Sequence, residues 1–194
     1  MSTAQPDTCA SIRTESLFLV YADDVGTEDR ECVELSTWAA ERSATNRHGK
    51  ISSNPGEWVR AFREVLGKTG WITTAAETRS LEVAMQTGAG NALKAFLAER
   101  LGLDPAAGDC LTGFLDEVGW PDEPRCFGRI DVKDGQLTMH GTHVLSVGTT
   151  SPETASGASG SSISIEMQVW EGVLNRALFG AVKPALQERY RAQR

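Results

Sequence analysis

Residues 54–71 carry the clearest alternation of apolar and polar positions in the chain. Trp58, Phe62, Val65, Leu66 and Thr69 recur at helical spacing, while Arg60, Arg63, Glu64 and Lys68 take the other side. Asn54 suits an N-cap, and Pro55 suits the first helical position, where a missing N–H costs nothing. Glu57, three residues after the cap, complements the helix dipole. Gly70 is a natural residue to close the helix. The β-branched run at Trp71–Ala75 then predicts a short strand. Two Trp and one Phe, each worth roughly 150–250 Å² of burial, make this segment a core organiser.

The same patterning gives the other elements. Residues 1–14 are polar and read as a flexible N-terminus. Leu17–Tyr21 is a short apolar run, either a strand or a first helical turn. Thr27 opens a helix with Glu28 and Asp29 in its first turn and Cys32, Leu35, Trp38 and Ala39 as its apolar face. A polar loop follows at 46–53. Ser80 is positioned to cap Leu81–Gln86, the Gly88–Gly90 region allows a break, and Ala92–Leu101 returns to helical spacing. Asp109 is placed to cap one more helix that ends near Gly119-Trp120. Residues 27–120 therefore read as mainly helical.

From Arg125 the period changes to two. Phe127, Arg129 and Asp131 alternate with Gly128, Ile130 and Val132. Asp134-Gly135 signals a two-residue hairpin turn, and the alternation resumes from Leu137 to Val147. Residues 148–162 hold no large apolar side chain and read as a flexible loop. A third strand runs from Ile163 to Trp170, and a closing helix spans Ala177–Tyr190, kinked or restarted at Pro184. The prediction is one α+β domain over 1–194: N-terminal helices packed on a C-terminal antiparallel β-meander, with a closing helix. The Ser/Thr-rich polar positions of the strands predict one solvated sheet face.

Composition narrows the function classes. A chain of 194 residues can bury a sizeable core without disulfides. A net charge of −7 disfavours nucleic-acid binding by general phosphate attraction. No apolar stretch is long enough to span a bilayer as a helix, and the first fifteen residues lack signal-peptide order. The expected location is cytoplasmic, with export without a signal peptide as the alternative. Cys9, Cys32, Cys110 and Cys126 are scattered and suggest reduced, partly buried thiols. In an exported protein a pair such as Cys110–Cys126 is conceivable.

Candidate chemistry is sparse. The candidate catalytic residues are Cys126, His140 and His143. The hairpin turn brings Cys126 nearer in register to His143 than to His140, and a thiol enzyme needs such a base. His140 and His143, three apart on one strand, face opposite sides unless a bulge at Gly141 re-aims one. No metal-ligand spacing, phosphate loop or nucleophile elbow occurs, so no metal or cofactor is expected.

The set Trp58, Phe62, Leu66, Gly70 and Trp71, with a helix before it and further helices, a meander and a closing helix after it, resembles a group of uncharacterised bacterial and fungal proteins. The resemblance implies the architecture and no activity. The leading expectation is a non-catalytic binding protein whose partner is another protein or a second copy of itself. The first alternative is a secreted or injected effector that acts at a membrane through the 148–162 hairpin. The second is an enzyme built on Cys126, His140 and His143.

Overall fold

The computed structural model describes residues 9–84, 89–118, 123–150 and 162–193. Its centre is a six-stranded mixed sheet in the order β1-β2-β4-β5-β6-β3, with helices on both faces. The strands are β1 (Ser11–Arg13), β2 (Leu17–Tyr21), β3 (Trp71–Ala84), β4 (Arg125–Lys133), β5 (Gln136–Thr150) and β6 (Ser162–Leu174). The helices are α1 (Thr27–His48), α2 (Pro55–Lys68), α3 (Ala89–Arg100), α4 (Pro105–Glu117) and α5 (Arg176–Arg191).

The protein is α+β, but helices do not simply precede strands. Leu17–Tyr21 is a strand, and it lies parallel to β4 inside the sheet. All five of its side chains are buried. Leu17, Leu19 and Tyr21 enter the core under α1, α2 and α5, while Phe18 and Val20 enter the core under α3 and α4. This run is apolar at every position because both its faces are covered, which is why periodicity could not classify it.

The Trp71 strand is also much longer than its β-branched start suggests. It continues through Leu81–Ala84, the segment expected to be capped by Ser80 as a helix, and pairs antiparallel with β6. Glu77, Arg79 and Leu81 alternate there with Thr78 and Ser80, a period of two that the isolated capping signal obscured. Ser11–Arg13, within the expected flexible terminus, forms the edge strand β1. Helix α4 begins at Pro105, not Asp109, because Asp104 takes the cap and accepts from the Ala107 N–H at 2.8 Å. Pro184 lies inside an uninterrupted α5. The ends of the expected helix at Gly119-Trp120, and residues 151–161 of the expected loop, lie outside the described residues.

Several local expectations hold. Asn54 caps α2 by accepting from the Glu57 N–H, and Trp58, Phe62 and Leu66 are buried. Gly70 has φ +103°, and a Cβ there would lie 2.9 Å from the Asn175 carbonyl oxygen that begins α5. Asp134 and Gly135 both have positive φ, as a tight hairpin turn requires, and β4 and β5 pair as expected. The solvated face is not general, since a hydrophobic core lies on each side of the sheet. Cys9 and Cys110 form a disulfide across a sequence separation of 101, tying the chain before β1 to α4. Cys32 and Cys126 are free and buried.

In the first core, Trp170 lies on sheet backbone left bare by glycine. A Cβ at Gly141 would come within 2.8 Å of Trp170 Cδ1 and nearer still to Nε1. The substitution Gly141→Ala is expected to lower unfolding free energy by about 3 kcal/mol, an overpacking cost, read as a lower urea midpoint at unchanged m-value.

Candidate functional site

The core under α3 and α4 ends at Val144 and Val169. Beyond that boundary the same sheet face turns polar. Strand alternation places Arg129 and Asp131 of β4, His140 of β5 and Glu171 of β6 on it, with Arg129, His140 and Glu171 in one cross-strand row. His140 Nε2 lies 3.4 Å from Asp131 Oδ2, and His140 Nδ1 lies 3.3 Å from Glu171 Oε2. Thr74, at the β3 bulge, donates to Glu171 Oε1 at 3.2 Å. Arg129 Nε sits 3.8 Å from Asp131 Oδ2, and its guanidinium also donates to the Leu101 and Gly102 carbonyls at the end of α3. Those carbonyls have no partner within the helix, so Arg129 ties α3 to this cluster.

The cluster is only partly shielded: the side chains of His140, Asp131 and Glu171 are 19%, 21% and 33% exposed. Asp131 Oδ1 is buried and has no hydrogen-bond partner among the described residues. Next to Glu171 on the same face are Val173 and its cross-strand partner Ile72, which is 51% exposed. These two line an open concavity of about 400 Å³ with Gln136, Asn175 and Arg176. Polar acceptors and an exposed apolar side chain thus adjoin.

What this set can do is restricted by the ring. Each nitrogen of His140 already faces a carboxylate, on opposite sides of the imidazole. The two carboxylates therefore cannot close on one ion together with a ring nitrogen, and neither nitrogen points outward to a reactant. Among the described residues, no three His, Cys, Asp or Glu side chains converge as metal ligands.

Cys126 and His143 lie on the opposite face, as direct cross-strand partners. Both are in the core, with exposures of 0% and 2%. The bulge in β5 falls between Val144 and Ser146, not at Gly141, and His140 and His143 face opposite sides. Burial pushes the Cys126 thiol well up, and the Glu41 carboxylate adds to the effect. Trp170 Nε1 donates to His143 Nε2 at 2.9 Å, so that nitrogen carries no proton. Burial, helped by the Arg63 charge, lowers His143 to about 3. A neutral thiol faces a neutral ring here, the reverse of a thiolate–imidazolium pair.

A second concavity, about 380 Å³, contains Thr14, Ser16, Trp38, Glu41 and Lys50. Burial raises the Glu41 carboxyl, although Thr14 donates to it at 2.6 Å.

The sequence named His140 but missed Asp131, Glu171 and Arg129. The Asp134-Gly135 turn fixes the register of β4 on β5, so Arg129 and Asp131 were within reach of it. Glu171 was not, because its register depends on the connection through 151–161. Comparison with known proteins finds no matching family model, curated protein or solved structure.

Native protein treated with iodoacetamide near neutral pH is expected to leave Cys32 and Cys126 unmodified, and denatured protein to take label at both; native labelling of Cys126 would contradict its burial. The depressed His143 has a second consequence. An unfolded His titrates near 6.5, so between that pH and about 3 the unfolded state takes up a proton that the folded state refuses. Stability is therefore expected to fall with falling pH through this window, by up to ~1.4 kcal/mol per unit and on the order of 4 kcal/mol in total. His143→Gln, which keeps an acceptor for Trp170, should remove that share of the slope in urea titrations at stepped pH.

Proposed function

We propose that this protein works by non-catalytic association, and that the face around His140 receives a protein partner presenting basic groups beside an apolar side chain. The observation that carries the reading is the juxtaposition of two partly exposed carboxylates, Asp131 and Glu171, with the exposed Ile72. A guanidinium or ammonium group donates to the exposed sides of these carboxylates, and charge-assisted bonds of this kind are the strong ones. An aliphatic neighbour covers Ile72 and Val173. The net charge of −7 favours approach of a basic partner over long range. The engagement of both His140 nitrogens by the protein's own carboxylates supports binding over proton transfer.

Export is a second reading, favoured by the Cys9–Cys110 disulfide, a bond that persists in oxidising compartments. Among the described residues no helix is long and apolar enough to cross a membrane.

The test is a titration of isotopically labelled protein with short capped peptides holding Leu-Arg or Leu-Lys, against Leu-Gln as control. Amide shifts are expected to cluster at residues 72, 131, 140, 171 and 173 for the basic peptides alone. Asp131→Asn with Glu171→Gln should weaken them at least tenfold. Shifts scattered over the surface, or equal for Leu-Gln, would remove the reading.

A further inference from the structure

The two edges of the sheet differ sharply. One is β1, three residues long. The other is β3, fourteen residues long and hydrogen-bonded to β6 on one side only. Every residue from Ile72 to Ser80 is exposed, and among the described residues no strand pairs with its outer side. Proteins commonly blunt an edge by shortness, as at β1, because unpaired N–H and C=O groups template another strand. β3 is left long.

We propose that the outer edge of β3 pairs antiparallel with the same edge of a second copy of this chain, about a twofold axis at Thr78, to make one continuous twelve-stranded sheet. The proposal rests on the order of side chains along the edge and is independent of the binding site at His140.

The β3 bulge lies between Thr73 and Ala75, so regular pairing geometry starts at Ala75. Seven residues, Ala75 to Leu81, then lie symmetrically about Thr78. Around that axis Glu77 of one copy stands opposite Arg79 of the other, and Arg79 opposite Glu77, on one face. Ala75 and Leu81 meet on the same face. On the other face Thr78 meets Thr78, and Ala76 meets Ser80. No like charges are opposed. A parallel in-register copy would instead set Glu77 on Glu77 and Arg79 on Arg79, which cross-strand pairing disfavours. Within one chain Glu77 and Arg79 already make an ion pair at 2.6 Å with both side chains about half exposed. The second copy would extend it to a four-charge cluster. A self-complementary patch related by a twofold axis is the usual design of a homodimer.

This selects a second copy over an unrelated extended peptide. An edge built for arbitrary peptides needs only its backbone groups and side-chain pockets. Here the charge order matches the edge to its own reverse.

Analytical ultracentrifugation from low micromolar to millimolar chain is the first test, and a concentration-dependent dimer is expected. Glu77→Arg should raise its dissociation constant roughly tenfold by opposing Arg to Arg at two places. The double change Glu77→Arg with Arg79→Glu restores the pairing and should return the constant to within a few fold. Thr78→Cys places two sulfurs across the axis, at an inter-strand Cα spacing of about 4.5–5.5 Å that a disulfide can bridge. It should give a dimer on non-reducing gels after mild oxidation, whereas Glu82→Cys, which faces Thr74 of the other copy, should not. A chain monomeric at millimolar concentration, a dimer indifferent to Glu77→Arg, or equal cross-linking at 78 and 82 would each overturn the proposal. Far-UV circular dichroism of each variant confirms that the edge changes leave the fold intact.

Discussion

One aromatic chain holds the helical layer to the sheet. Trp58 stacks on Phe62 along α2, the Phe62 ring meets the edge of His143 at 5.9 Å, and His143 accepts from Trp170. Arg63 lies over the Trp170 ring at 5.8 Å. The chain crosses from helix to sheet at the Phe62–His143 ring contact and continues between β5 and β6 through a buried polar atom pair. Such a pair is stable only with its geometry satisfied, since an unmade hydrogen bond in that position costs the desolvation of both groups. The same logic recurs at Trp71, whose indole N–H donates to Ser36, which in turn donates to the Cys32 carbonyl inside α1. Trp58 does likewise with Thr45. Three buried indoles thus have three polar anchors, and each anchor fixes one helix or strand relative to another.

The role of α2 was legible because its signals agree: cap, first-turn Pro, apolar stripe and closing Gly all specify one helix with one buried side. The hairpin of β4 and β5 was legible for the same reason, through Asp134-Gly135 and alternation. Two things were not. β2 is apolar at every position, so its pattern holds no period, and its parallel partner lies more than a hundred residues away. The later part of β3 sets Thr78 and Val83 among Ala, Glu, Arg and Ser, residues that local propensity does not assign to a strand. Its pairing with β6 is a tertiary effect.

The candidate site shows the same division. Which face each residue of β4 and β5 occupies follows from the turn, so the separation of His140 from His143 could be derived. The placement of Glu171 beside His140 needed β6. The depth at which Cys126 and His143 are buried needed the layer of α1 and α2 above them. Burial reverses the meaning of that Cys–His register: adjacency in an exposed hairpin suggests chemistry, whereas adjacency under two helices removes the water and charge that chemistry requires.

The parallel contact of β2 with β4 has a consequence for how the chain reaches this state. β2 is made early, and the strand that covers its inner edge begins only at Arg125. During synthesis, five consecutive apolar residues wait with one side unpaired while the helices and β3 emerge. α1 and α2 can pack on each other in that interval, since their contact is local. The sheet cannot close until the C-terminal third arrives. By topology the α1–α2 contact is local, whereas the β2–β4 pairing spans more than a hundred residues and bears the larger loop-closure cost.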